Sequence, residues 1–167
     1  MIVVADSSPI VVLASIGQIE VLPRLFGQVL IPPEVAAEPA APGRTEPVRA
    51  FIATPPGWLE IRQSSVATTP IPGLHAGETA AIALARQHSA DLLLIDERLG
   101  RQAAAERQLR VAGTIGILEM AAERGLVELG QAFNEVRKTD FWVIPRFLDE
   151  RLALFRERER EREQAGK

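Results

Sequence analysis

Two carboxylates in this sequence stand where carboxylates do chemistry. Ile2, Val3, Val4 and Ala5 form a short apolar run that stops at Asp6; Leu92, Leu93, Leu94 and Ile95 form another that stops at Asp96, with Glu97 behind it. Runs this short and apolar throughout predict strands buried on both faces, as in parallel sheets. Open α/β sheets bind their ligands beyond the carboxyl ends of the strands. Acids ending two strands a spacing or two apart lie about 5–10 Å from each other. Stability does not call for such a pair, whereas a bound cation does.

Two further acids fall at element boundaries expected on the same end of the sheet. Glu78 lies in the first turn of an alanine-rich helical stretch, where the helix dipole keeps a carboxylate ionised. The PPEVAAE stretch offers Glu34 and Glu38 one turn apart, and spacing alone does not choose between them. Hard cations such as Mg²⁺ and Mn²⁺ take oxygen ligands, keep several waters and need only a few carboxylates. Each acid also has a plainer use. Asp6 and Asp96 can cap the helices that follow them, and a first-turn Glu78 is sound helix design without any function.

Other chemistries drop out. No G-x-x-x-x-G-K-[ST] or G-x-G-x-x-G occurs, so phosphate loops and dinucleotide folds are not indicated. Both lysines, Lys138 and Lys167, fall beyond the last predicted strand, against an aspartate-phosphorylating fold. Ser7 and Ser8 have no histidine at a useful spacing. His75 reads as a surface loop residue and His88 as a favourable charge at a helix C-terminus. With no cysteine, disulfides and thiolate sites are excluded. The net charge of −3 speaks against affinity drawn from a broad basic face, though not against local contact with nucleic acid.

The elements that must hold these acids follow from the apolar pattern. Strands are predicted at 2–5, 29–31, 58–62, 92–95 and 110–112. Helices are predicted at 9–15 (capped by Ser7 or Ser8), 19–26, 32–38, 46–53, 76–87, 98–109, 117–124 and 131–138, with loops at 39–47 and 64–73 and a turn at 113–116. This alternation predicts one α/β domain with a central parallel sheet of four to five short strands flanked by helices. Residues 1–145 read as the domain and 146–167 as a charged helix or tail. Arg and Glu alternate over 155–163, which suits a solvated, frayed helix end or a partner-binding extension. Without a basic n-region or a long apolar run, the expected location is cytoplasmic, with no membrane contact.

Taken together, Asp6-Ser7-Ser8-Pro9, the stretch from Ile31 to Glu38, Gly77-Glu78 with its alanines, Ile95-Asp96-Glu97-Arg98-Leu99-Gly100-Arg101 and Gly113-Thr114-Ile115-Gly116 occur in an order that resembles the PIN-domain family, in particular its toxin-like subfamily. The resemblance runs from about residue 2 to 125. It implies a metal-dependent ribonuclease, many relatives being toxins of toxin–antitoxin pairs, with Mg²⁺ or Mn²⁺ as cofactor. Position by position it assigns the catalytic and metal-binding acids to Asp6, Glu38, Glu78 and Asp96, and so favours Glu38 over Glu34. Glu78 and Glu97 depart conservatively from the aspartates common there. The substrate-binding candidates are Ser8, Arg98 and Arg101, with Arg107 and Arg110 as further guanidinium groups. Candidate partners are RNA, a small antitoxin and a second copy of the chain. The rival readings are a non-catalytic nucleic-acid-binding or regulatory module and a phosphohydrolase acting on a small substrate.

Overall fold

The computed structural model describes residues 1–38 and 44–166. In chain order the elements are β1 (Val3–Ala5), α1 (Ser7–Ser15), α2 (Val21–Phe26), β2 (Val29–Ile31), α3 (Pro33–Ala37), α4 (Glu46–Ala53), β3 (Leu59–Ile61), α5 (Ala76–Gln87), β4 (Leu92–Leu94), α6 (Arg98–Ala105), β5 (Val111–Ala112), α7 (Thr114–Glu123), α8 (Leu129–Arg137) and α9 (Pro145–Ala165). The five strands form one sheet in the order β3-β2-β1-β4-β5, with every pairing parallel. This is the α/β domain that the apolar runs predict.

The first strand in the chain is the middle strand of the sheet. Val3 lies opposite both Val29 and Leu92, and Ala5 lies opposite Leu94. Val3, Val4, Ala5, Leu93 and Leu94 are wholly buried, which is why these strands show no polar alternation. Right-handed crossovers put α1 and α2 on one face and α5 and α6 on the other, and α7 packs with α1 and α2. The small side chains of Ala80, Ala81 and Ala85 let α5 lie close against β1 and β4. Among the described residues no helix is long and apolar enough to cross a membrane.

Several local expectations change. The N-cap of α1 is Asp6, and Ser7 and Ser8 already lie within the helix. The helix predicted over 98–109 closes at Ala105, because Gln108 adopts φ 61° and the Leu109 N–H turns back to the Ala104 carbonyl at 3.1 Å. The turn predicted at 113–116 is instead the first turn of α7, which starts at Thr114. The stretch read from 146 onward as a charged helix or tail is the long helix α9, from Pro145 unbroken to Ala165, and it is more than a solvated end: Leu148 and Phe155 insert into the core. Residues 39–43 of the predicted 39–47 loop lie outside the described residues.

Candidate metal centre and nucleic-acid interface

From β1 the chain builds outward to β2 and β3 on one side, and from β4 to β5 on the other. The strand order therefore reverses between β1 and β4, and a crevice opens beyond their carboxyl ends. Asp6 and Asp96 flank this crevice. Because the connections are parallel crossovers, α1, α5, α6 and α7 all begin at the same end, and the positive ends of their dipoles face the acids.

Asp6 is 3% exposed, and its Oδ1 is buried with no hydrogen-bond partner. Its backbone N–H donates to the Leu94 carbonyl at 2.8 Å, which ties it to the end of β4. The side chain makes no capping bond to α1, so the plain capping role does not account for it. Burial is the main reason its carboxyl rises from 3.8 to about 7. The Ser7 backbone N–H pulls back, and the charges of Glu38, Glu78 and Asp96 add to the rise. The other three acids thus all bear electrostatically on Asp6.

Asp96 is held more firmly. Its Oδ1 accepts the Thr114 N–H at 2.7 Å, and its Oδ2 accepts the Thr114 and Ser8 hydroxyls at 2.7 and 3.0 Å. Burial raises its pKa nonetheless, against the pull of these donors and of the Arg101 guanidinium. Gly113 keeps this approach open, because a Cβ there would stand 2.8 Å from Asp96 Oδ1. Thr114, wholly buried, is a site residue that the sequence reading passed over. Its signal was present: a hydroxyl one glycine beyond a predicted strand, where a helix can start.

The last two acids come from flanking helices. Glu38, at the end of α3, accepts a hydrogen bond from the Ser7 hydroxyl. Its Oε1 lies where a Cβ on Gly77 would be, 2.0 Å away, so Gly77 is the seat of that carboxylate. Glu34 points to solvent. Glu78 is buried, and its Oε2 accepts the His75 N–H at 2.9 Å, so it caps α5 while lining the crevice.

These acids line a cleft of about 1030 Å³ together with Ser8, Arg44, His75, Arg98 and the Asp140–Trp142 segment. Arg101 stands beside Asp96, its Nη1 3.5 Å from the Cβ position of Gly113, but it is not part of the cleft lining. The other two arginines are not brought in. Arg107, past the end of α6, bonds the Ala103 carbonyl at 2.8 Å, and Arg110 precedes β5 at the opposite end of the sheet. Arg107 borders a separate cavity of about 450 Å³ between residues 66–72 and α5, whose lining includes no carboxylate. His75 belongs to the cleft rather than to a remote loop, whereas His88 closes the far end of α5.

The donor set is all oxygen, from carboxylates and hydroxyls, as hard divalent cations require. Among the described residues no three His, Asp or Glu side chains close round one point as a ready-made cage. Glu38, Glu78 and Asp96 each bond a neighbouring donor, and of these four acids Asp6 is the one with a buried, unpartnered oxygen, Oδ1. Such a set fits an ion that keeps most of its waters and takes one or two carboxylates directly.

The chain belongs to the PIN-domain family: a family model described as a PIN domain matches residues 2–157. Searches of curated proteins and of solved structures return no match. PIN domains are generally metal-dependent nucleases that use Mg²⁺ or Mn²⁺ and act on nucleic acids.

Proposed function

We propose that this PIN domain is a Mg²⁺- or Mn²⁺-dependent endoribonuclease and that it serves as the toxin of a toxin–antitoxin pair, its partner a small antitoxin protein. One observation carries the enzymatic part. A buried carboxylate oxygen without a partner, Asp6 Oδ1, stands among three further acids at the switch point of the sheet. When bound, the cation would supply charge stabilisation at the phosphoryl group and acidify the water that attacks in line, leaving a 5′-phosphate and a 3′-hydroxyl.

The side chains have separate tasks in this reading. Asp6 and Asp96 are the ligands, Asp96 being aimed by Thr114 and Ser8. Glu38 and Glu78, each engaged with a donor through one oxygen, order water with the other. Arg98 and Arg101 meet the phosphate backbone through paired N–H donors, while Ser8, its one hydroxyl proton given to Asp96, would accept from a water of the cation.

Incubating the purified chain with RNA, with and without EDTA, tests the proposal. Cleavage is expected with Mg²⁺ or Mn²⁺ and none in chelator. Cleavage undiminished by EDTA overturns the metal mechanism. Binding without cleavage identifies a non-catalytic module, and turnover of a small phosphate ester with RNA left intact identifies a phosphohydrolase.

A further inference from the structure

The cleft has an aromatic wall that the acidic chemistry leaves unused. Between α8 and α9 the chain runs through Asp140, Phe141 and Trp142, all lining the cleft. The segment is pinned at its start, where the Thr139 hydroxyl donates to the Val136 carbonyl at 2.7 Å and accepts the Phe141 N–H at 3.2 Å. Phe141 and Val143 pack on the core on either side of Trp142. Trp142, between them, is 83% exposed. The other tryptophan is placed quite differently: Trp58 packs against Phe51 with ring centroids 5.8 Å apart.

An indole held out over a cleft by a braced backbone contributes little to the fold. Its free face is worth most to a flat, apolar partner that enters the cleft with a charged backbone. Arg44 and Arg98 line the same cleft and supply the complementary charge. We infer that Trp142 is a base-stacking platform: it holds an unpaired base of the strand whose phosphate lies at the acids. Arg44 and Arg98 hold the flanking backbone. A stacked ring is sequence-tolerant, because every base offers a π-face. The exposed Ile144 and Phe147 nearby would extend an apolar surface for a protein partner, but they are not part of the cleft lining, so the nucleic-acid reading is the one the geometry favours.

This inference rests on the nuclease reading, and binding rather than cleavage tests it. Anisotropy is measured with a labelled single strand and the same strand made wholly abasic, with Ca²⁺ replacing Mg²⁺ to slow cleavage. Trp142→Ala should weaken binding of the base-bearing strand by roughly 5- to 150-fold, the range of a lost base–aromatic stack. It should leave the abasic strand and the melting temperature unchanged, and Trp142→Phe should recover most of the affinity. Equal affinity of parent and Trp142→Ala for the base-bearing strand overturns the stacking role alone, as does an equal loss on both strands. Absence of RNA binding by the parent overturns this role and the nuclease reading together. A Trp142→Ala protein that changes oligomeric mass while binding RNA normally assigns the residue to a protein interface instead.

Discussion

Two buried carboxylates in this domain are treated in opposite ways. Glu119, on α7, is 6% exposed and receives both arms of Arg151 from α9, Nε reaching Oε1 at 2.7 Å and Nη2 reaching Oε2. The pairing pushes the Arg151 guanidinium above its already high ordinary value. Asp6 is buried as deeply, but its charged neighbours are Glu38, Glu78 and Asp96. Where a carboxylate serves the fold, the chain provides the cation. At Asp6 the counter-charge has to come from outside, which is the physical content of a metal-site reading.

The largest expected contrast is in how stability depends on pH. The gap between 3.8 and about 7 at Asp6 corresponds to roughly 4 kcal/mol. The folded protein holds this proton more tightly than the unfolded chain. The group is therefore without penalty below about pH 4 and costs stability progressively as pH rises toward 7. In metal-free buffer at pH 8, Asp6→Asn should accordingly raise stability by a few kcal/mol, and near pH 4 it should change little. Mn²⁺ or Mg²⁺ at a hundredfold excess over its dissociation constant should stabilise the parent by about 2.7 kcal/mol and the variant much less. Denaturant melts at the two pH values decide the matter, and a destabilised variant at pH 8 would make Asp6 a structural residue.

Arg151→Ala should have the opposite sign. It leaves Glu119 buried and unpaired, for a loss of about 2–4 kcal/mol whether or not metal is present. An unchanged melting temperature would erase the contrast between the two acids.

Gly77→Ala sharpens the comparison at smaller amplitude. The added methyl displaces the tip of Glu38, a movable group, so stability should shift by less than about 1 kcal/mol, helped by the helix preference of alanine. RNA cleavage should fall while RNA binding persists. Intact cleavage would remove Glu38 from the site.

Truncation after Phe155 is the smallest effect. It removes the loose pairs from Arg158 and Arg162 to Glu123, at 4.0 and 3.8 Å, which are worth about 1 kcal/mol or less together. A loss well beyond that would show that the end of α9 docks on something other than Glu123.

What could be read in advance divides along physical lines. β1 and β4 were legible because strands buried on both faces leave uninterrupted apolar runs, and α5 because its alanines have a strong helical preference. α9 was legible only as a charged helix or tail and not as an element docked on the core, since only Leu148 and Phe155 are buried along it, two turns apart, beneath a mostly charged surface. The alternative uses of Ser7 and Thr114 were hidden for another reason. Both suit a helix start, and only the tertiary fold brings the carboxylates of Glu38 and Asp96 within their reach. Trp142 carried no signal, because its relation to the cleft depends on where α8 ends.

The placement of the first strand at the centre of the sheet has a consequence during synthesis. β1 leaves the ribosome early, yet one of its two neighbours is β4 and the Asp6 N–H waits for the Leu94 carbonyl. Asp96 lacks two of its three donors until Thr114 has been made. A nascent chain that has not reached Leu94 and Asp96 carries Asp6 without the partners that define its surroundings, and long-range pairings of this kind form late. The acidic site therefore assembles only once most of the polypeptide exists, and a translation product that ends before Thr114 cannot complete it.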